Sequence, residues 1–247
     1  MVSRLLLLLV LAAGSLRADE LADLRGALAR LQGRDPLKAA VDYSFWSRQG
    51  AEDKGKVTQG GASLRLQEDA QGLRLACSQA TLAQMHAEDL ASARDPEAGA
   101  PTRQALRNLS PGALSEYLDA ADRLLRDLEG AVLVEARQDR FDGVQARCLT
   151  LKLKPKLTAQ NRKYVKDLQD SCRVWLGPDG VPVGLTQEVQ AKGRIFLVIS
   201  FTHRETAERR FAHLGDRLVT IYRKAETAES GGGESGAFGE TLRLTPE

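Results

Sequence analysis

A two-residue hydrophobic rhythm runs through most of this 247-residue chain, and it restricts the fold more than any other feature. Ala39, Val41, Tyr43 and Phe45 alternate with Ala40, Asp42, Ser44 and Trp46, as in a strand with one buried face. The rhythm returns over 54–67, where Gly60-Gly61 is expected to mark a bulge or bend. After the turn Asp69-Ala70-Gln71-Gly72 it resumes in 73–77. Downstream, 131–140 and 144–153 flank Asp142-Gly143, a strong two-residue hairpin signal. Cys172–Leu176 and 181–192 flank Gly177-Pro178-Asp179-Gly180. Segment 194–202 carries the run Ile195-Phe196-Leu197-Val198-Ile199, apolar on both faces, and is expected to be a central, doubly covered strand. Segments 208–214 and 217–223 flank Gly215-Asp216, the Gly/Ser/Glu tract 226–236 reads as a flexible surface loop, and 238–245 is a last strand. About eleven strands result, nearly all antiparallel neighbours, and a sheet of that size must curl or close.

Helical periodicity is confined to three places. Leu21, Leu24, Leu28 and Leu31 form one apolar stripe, stopped by Gly33. An insert over 78–130 holds a short helix at 80–92, a loop at 94–103 and a firmer helix capped by Ser110 with Pro111 at its first position. That helix buries Leu114, Tyr117, Leu118, Ala121, Leu124, Leu125 and Leu128, and ends at Gly130. A third helix-like piece spans 157–169. The expected class is α+β and β-dominated: one strongly curved antiparallel sheet with helices on its concave side, forming a single domain over 19–247.

Residues 1–18 read as a secretory signal peptide, with Arg4 in a basic start, an apolar run from Leu5 to Ala13, and small residues before Asp19-Glu20. The run is too short for a permanent membrane span. Cleavage after Ser15 fits the small-residue rule, and cleavage after Ala18 frees the chain at its first acidic pair. The first cysteine is Cys77, so no lipid anchor is expected at the cut, and no later segment approaches transmembrane length. The Ala-, Leu-, Arg- and Gly-rich composition is of a bacterial type, which makes the periplasm or the exterior the expected destination. Removing Arg4 and Arg17 leaves 33 basic residues against 33 acidic. That balance argues against nucleic acid, whose phosphates require a basic surplus.

Three cysteines, Cys77, Cys148 and Cys172, permit one disulfide in an oxidising compartment. Cys148 and Cys172 lie in successive strand-like segments, which usually pair, so Cys148–Cys172 is the favoured bridge; three free, buried thiols are the alternative. His86, His203 and His213 do not share a metal-ligand spacing. A turn expected near Glu205-Thr206 would keep His203 and His213 apart. The chain contains no Gly-x-Ser-x-Gly elbow, no phosphate-cradling loop between strand and helix, and no Cys-x-x-Cys. No catalytic motif, metal site or cofactor is therefore expected. Asn108-Leu109-Ser110 matches a glycosylation acceptor, but Ser110 is accounted for as a helix cap.

The order of elements resembles that of the LolA-like periplasmic carriers, a superfamily that includes lipoprotein chaperones and RseB-type sensors. The likeness rests on the Leu-rich helix running into Val41-Asp42-Tyr43-Ser44-Phe45, the turn Trp175-Leu176-Gly177-Pro178-Asp179-Gly180-Val181-Pro182, and the hairpin from Phe201 to Leu218. It implies an unclosed β half-barrel whose concave apolar face holds acyl chains under a helical lid. The low aromatic content, 5%, and the long insert at 78–130 depart from that pattern. Strand parity names Val41, Tyr43, Phe45, Leu64, Leu66, Leu197, Ile199 and Phe201 as ligand-lining candidates. Two functions follow. One is an envelope protein that binds a lipid or lipoprotein acyl chain. The other is an envelope interaction or sensor protein of the same fold with a filled core.

Overall fold

The computed structural model describes residues 20–50, 55–195 and 199–247. The expected signal peptide, residues 1–18, and the lining candidate Leu197 lie outside these. Ten strands are present among the described residues: β1 (Leu37–Gln49), β2 (Lys56–Asp69), β3 (Gly72–Cys77), β4 (Val132–Phe141), β5 (Val144–Lys152), β6 (Val165–Leu176), β7 (Pro182–Ile195), β8 (Ile199–Leu214), β9 (Arg217–Gly231) and β10 (Glu234–Pro246). The helices are α1 (20–29), α2 (Gln79–Arg94), α3 (Pro101–Asn108), α4 (Pro111–Leu118), α5 (Ala120–Asp127) and the single turn α6 (Ala159–Arg162).

All ten strands form one antiparallel sheet in the order β3-β2-β1-β10-β9-β8-β7-β6-β5-β4. It does not close, and the fold is an α+β unclosed half-barrel. The last strand in the chain is internal to the sheet: β10 lies between β1 and β9, with Ala39 opposite Pro246.

Helices cover one face, called here the inner face, in two adjoining cores. Leu24 and Leu28 of α1 and Leu124 of α5 pack on Leu149, Leu151, Val174 and Leu218. Ala105 of α3 and Leu114 and Leu118 of α4, together with Leu109 between them, pack on Val41, Phe45, Leu66 and Leu244. A smaller cluster, Ala146, Cys148 and Trp175 with Phe141 and Val183, sits on the opposite face. Arg217, with its side chain 2% exposed, joins the two cores. Its Nη2 donates to Leu118 O at 3.0 Å and its Nη1 to Asp35 O at 3.2 Å, and ion pairs run to Glu68 at 2.6 Å and Asp119 at 3.3 Å.

Several sequence expectations are corrected. Residues 194–202 are not one central strand: Ile195 of β7 is paired with Ile199 of β8, so the chain reverses between them. Residues 194–195 and 199–202 belong to two paired strands, and the eleventh expected strand disappears because β8 runs unbroken from Ile199 to Leu214 through the turn expected near Glu205. The tract 226–236 is a hairpin of β9 and β10 turning at Gly232-Gly233, both at positive φ, and not a loop. Glycine and serine there mimic loop composition, but the register continues through them. The expected 157–169 helix is one turn, and β6 begins at Val165. The helix from Ser110 breaks at Asp119 into α4 and α5, and α3 occupies part of the expected loop and the residues beyond it.

Gly60 and Gly61 make no bulge, because β1 and β2 pair without a register shift across them. A Cβ on Gly60 would come within 2.6 Å of Pro101 Cβ and 2.8 Å of Phe45 Cε1. The glycine is there so that α3 can lie close on the strand.

Candidate functional site

The eight lining candidates separate into four groups. Val41, Tyr43, Phe45, Leu64 and Leu66 are all buried and belong to the core that α3 and α4 complete, and Phe45 also borders a cavity of about 590 Å³ with Trp46, Gln59 and Gly60. Parity placed them on the correct face, but helix cover is a tertiary property. Ile199 is 40% exposed at the start of β8. Phe201, half-buried, lines a cavity, and Leu197 lies outside the described residues.

The cavity touched by Phe201 has a volume of about 700 Å³ and lies at the end of the inner face formed by the tips of β7 to β10. Its apolar walls are Leu157, Tyr164, Val165, Ala191, Ile195 and Phe201, and none of α1 to α5 contributes to it. The segment around α6 folds alongside, tied to β7 by Arg194 N donating to Tyr164 O at 2.9 Å. Phe201 is held between two glycines, opposite Gly193 on β7 and Gly231 on β9. A Cβ on Gly193 would meet the Phe201 ring at 2.5 Å. Those strand glycines are the sequence signal that could have located the cavity, since glycine within a strand often marks a close approach. Seven of the fifteen lining residues have polar side chains, four of them paired: His203 Nδ1 lies 2.9 Å from Glu229 Oε1 and Thr202 Oγ1 2.7 Å from Ser230 Oγ.

A second cavity of about 520 Å³ lies farther along the same face, between the sheet and α4 and α5. It is polar. Arg123 pairs with Glu116 at 2.7 Å and with Asp127 at 2.9 Å; burial opposes its charge, but those carboxylates outweigh burial and raise its pKa above the ordinary value. Arg223 pairs with Glu240, whose Oε2 also accepts from the Tyr43 hydroxyl at 2.8 Å. Burial pushes the Tyr43 hydroxyl up, partly offset by Asn108, which donates to it at 2.8 Å. Burial, then repulsion from Arg223, holds the Arg209 guanidinium below its usual pKa. Sequence reading passed over this cluster because its members come from α4, α5, β8, β9 and β10 at no recognisable spacing.

The expected Cys148–Cys172 disulfide is absent, and all three cysteines are free. The two strands do pair, as expected, but Cys148 stands opposite Trp175 and Cys172 opposite Leu151. Three residues of offset put the two sulfurs on opposite faces, out of reach of a bond. Burial pushes the Cys172 thiol up to about 12, so it is an inert core group at neutral pH. The turn expected near Glu205 is also absent. His203 and His213 lie on one continuous strand, ten residues apart, a separation of about 34 Å at 3.4 Å per residue. No group of three or more metal-ligating side chains is found among the described residues. No helix among them is long and apolar enough to cross a membrane.

No family model matches this chain, and no curated protein sequence matches it.

Proposed function

We propose that this is an exported envelope protein that binds an apolar chain, of a lipid or a lipoprotein, in the open end of its half-barrel. The observation that carries this reading is the cavity of about 700 Å³ walled by Tyr164, Ile195 and Phe201. It has the size and the mostly apolar lining of a small-molecule site. Five of the eight residues expected to line the ligand fill the core instead, so the reading keeps the ligand class and moves the site to the end of the sheet where none of α1 to α5 lines the cavity. Burying about 200 Å² of ligand hydrocarbon there is worth about 5 kcal/mol at 25 cal/mol per Å², before the cost of association. The leader-like start and the resemblance to LolA-like carriers support export and carriage.

The test is titration with the neutral fluorophore N-phenyl-1-naphthylamine, followed by displacement with 1-hexadecanol. Saturable, displaceable binding that weakens several-fold in Ile195→Asp is the expected result. Absence of saturable binding overturns the reading.

A second reading, an envelope interaction protein, is favoured by the sheet edge at β4. Val132 and Val134 are 62% and 51% exposed on this strand, which among the described residues pairs only with β5 and keeps its outer edge able to accept another strand.

A further inference from the structure

We propose that the polar cavity beneath α4 and α5 holds the anionic head group of the bound molecule, which makes the ligand a long-chain acid. This rests on the reading of the open end as the site of the apolar chain. The argument begins with Arg209. Its side chain is 13% exposed, and its one recorded ion-pair contact is Asp127 Oδ2 at 3.7 Å, too long for a hydrogen bond. Asp127 is already engaged by Arg123 at 2.9 Å. Arg209 lines the polar cavity, and among the described residues it makes no ion pair shorter than this one.

Two of the carboxylates lining the cavity are committed to other arginines, Glu116 to Arg123 and Glu240 to Arg223, while Glu205 makes only a 4.0 Å approach to His203. The Asp170 carboxyl accepts from Gln187 and is pushed toward its neutral form by burial. Arg209 and Arg223 stand directly opposite each other on β8 and β9, an arrangement in which like charges repel across about 5 Å. An acid group placed between them would accept from the fork of Arg209 and relieve that repulsion.

The two cavities adjoin. Along β7, Val189 of the polar cavity is followed on the same face by Ala191 of the open one; along β8, Glu205 is followed by His203; along β10, Phe238 by Gly236. Each step is two residues, about 7 Å. From Arg209 to Phe201 the trough runs about 27 Å, eight residues at about 3.4 Å each, which suits a long single chain. A head group at Arg209 would send its chain past Val189 and Ala191 toward Phe201 and Ile195.

The experiment displaces N-phenyl-1-naphthylamine from the wild-type chain with hexadecanoate, hexadecyl phosphate and 1-hexadecanol. The acids are expected to compete about tenfold better than the alcohol, a factor typical of one charge-assisted contact. The stronger of the two acids identifies the head group as carboxylate or phosphate. Arg209→Gln should abolish that advantage while leaving 1-hexadecanol unchanged, and Arg209→Lys should restore part of it. Equal competition by acid and alcohol in the wild type overturns the head-group proposal and leaves the apolar site standing. Failure of the fluorophore to bind overturns both. The wild-type comparison decides the matter even where Arg209→Gln does not fold.

Discussion

Burying a guanidinium is tolerable only when its donors are met, and Arg217 shows what meeting them requires. The backbone of α4 supplies Leu118 O, the segment after α1 supplies Asp35 O, and β2 and the α4–α5 break supply the carboxylates of Glu68 and Asp119. Removing the arginine would strand two partly buried carboxylates with no cation. Arg217→Ala is expected to lower stability by about 3–5 kcal/mol, read as a fall in the urea midpoint with an unchanged slope. A drop under about 1 kcal/mol would contradict the role. In the sequence Arg217 is one arginine beside a Gly-Asp turn, and reads as a solvated hairpin residue. Only four segments converging on it identify it as a core group.

At the scale of elements, α3 shows how packing overrides local signals. Its N-terminal residue pair, Pro101-Thr102, follows Ala100, which offers no side-chain cap. Glu88 of α2 supplies the cap from a distance: its carboxylate accepts from Thr102 N at 2.9 Å and Arg103 N at 3.3 Å. Burial alone would raise the Glu88 pKa, but those hydrogen bonds outweigh it and the pKa is lowered. A depressed carboxylate stabilises the fold above its unfolded value, about 4.3, and that contribution is lost as pH falls through the folded value. The stability gap between the wild type and Glu88→Gln is therefore expected to be constant near neutrality and to close in acid. Urea titrations at several pH values check this, and a gap that widens in acid would refute it. By contrast, the helix start at Ser110 was legible, because Ser110 accepts from Ala113 N within its own segment. The cap of α3 was not, since its parts lie 14 and 15 residues apart with a loop between them.

At the scale of the whole molecule, the sheet depends on its final strand. β10 separates β1, with β2 and β3 beyond it, from β9 and the rest. Ending the chain at Gly233 would leave two sheet fragments with new open edges. It is expected to abolish the cooperative urea transition and expose apolar surface to fluorescent probes, whereas removing only Glu247 should change little. A cooperative transition in the shortened chain would refute this dependence. The pairing of β1 with β10 joins segments about 200 residues apart. Contacts this distant are formed late and slowly, and no local motif announces them.

Period-two alternation, hairpin turns and the apolar stripe of α1 were enough to determine a large antiparallel sheet carrying helices, because each depends on neighbours a few residues away. The same local reading selected the inward face of Val41, Tyr43 and Phe45 correctly. What it could not contain is which part of that face the helices cover, because α3 and α4 settle on β1 and β2 through contacts far along the chain. The offset that parts Cys148 from Cys172, the close approach of α3 at Gly60 and the meeting of Arg209 with Arg223 are of the same kind. Each depends on strand register or helix placement, which the tertiary structure sets through the simultaneous burial of many side chains.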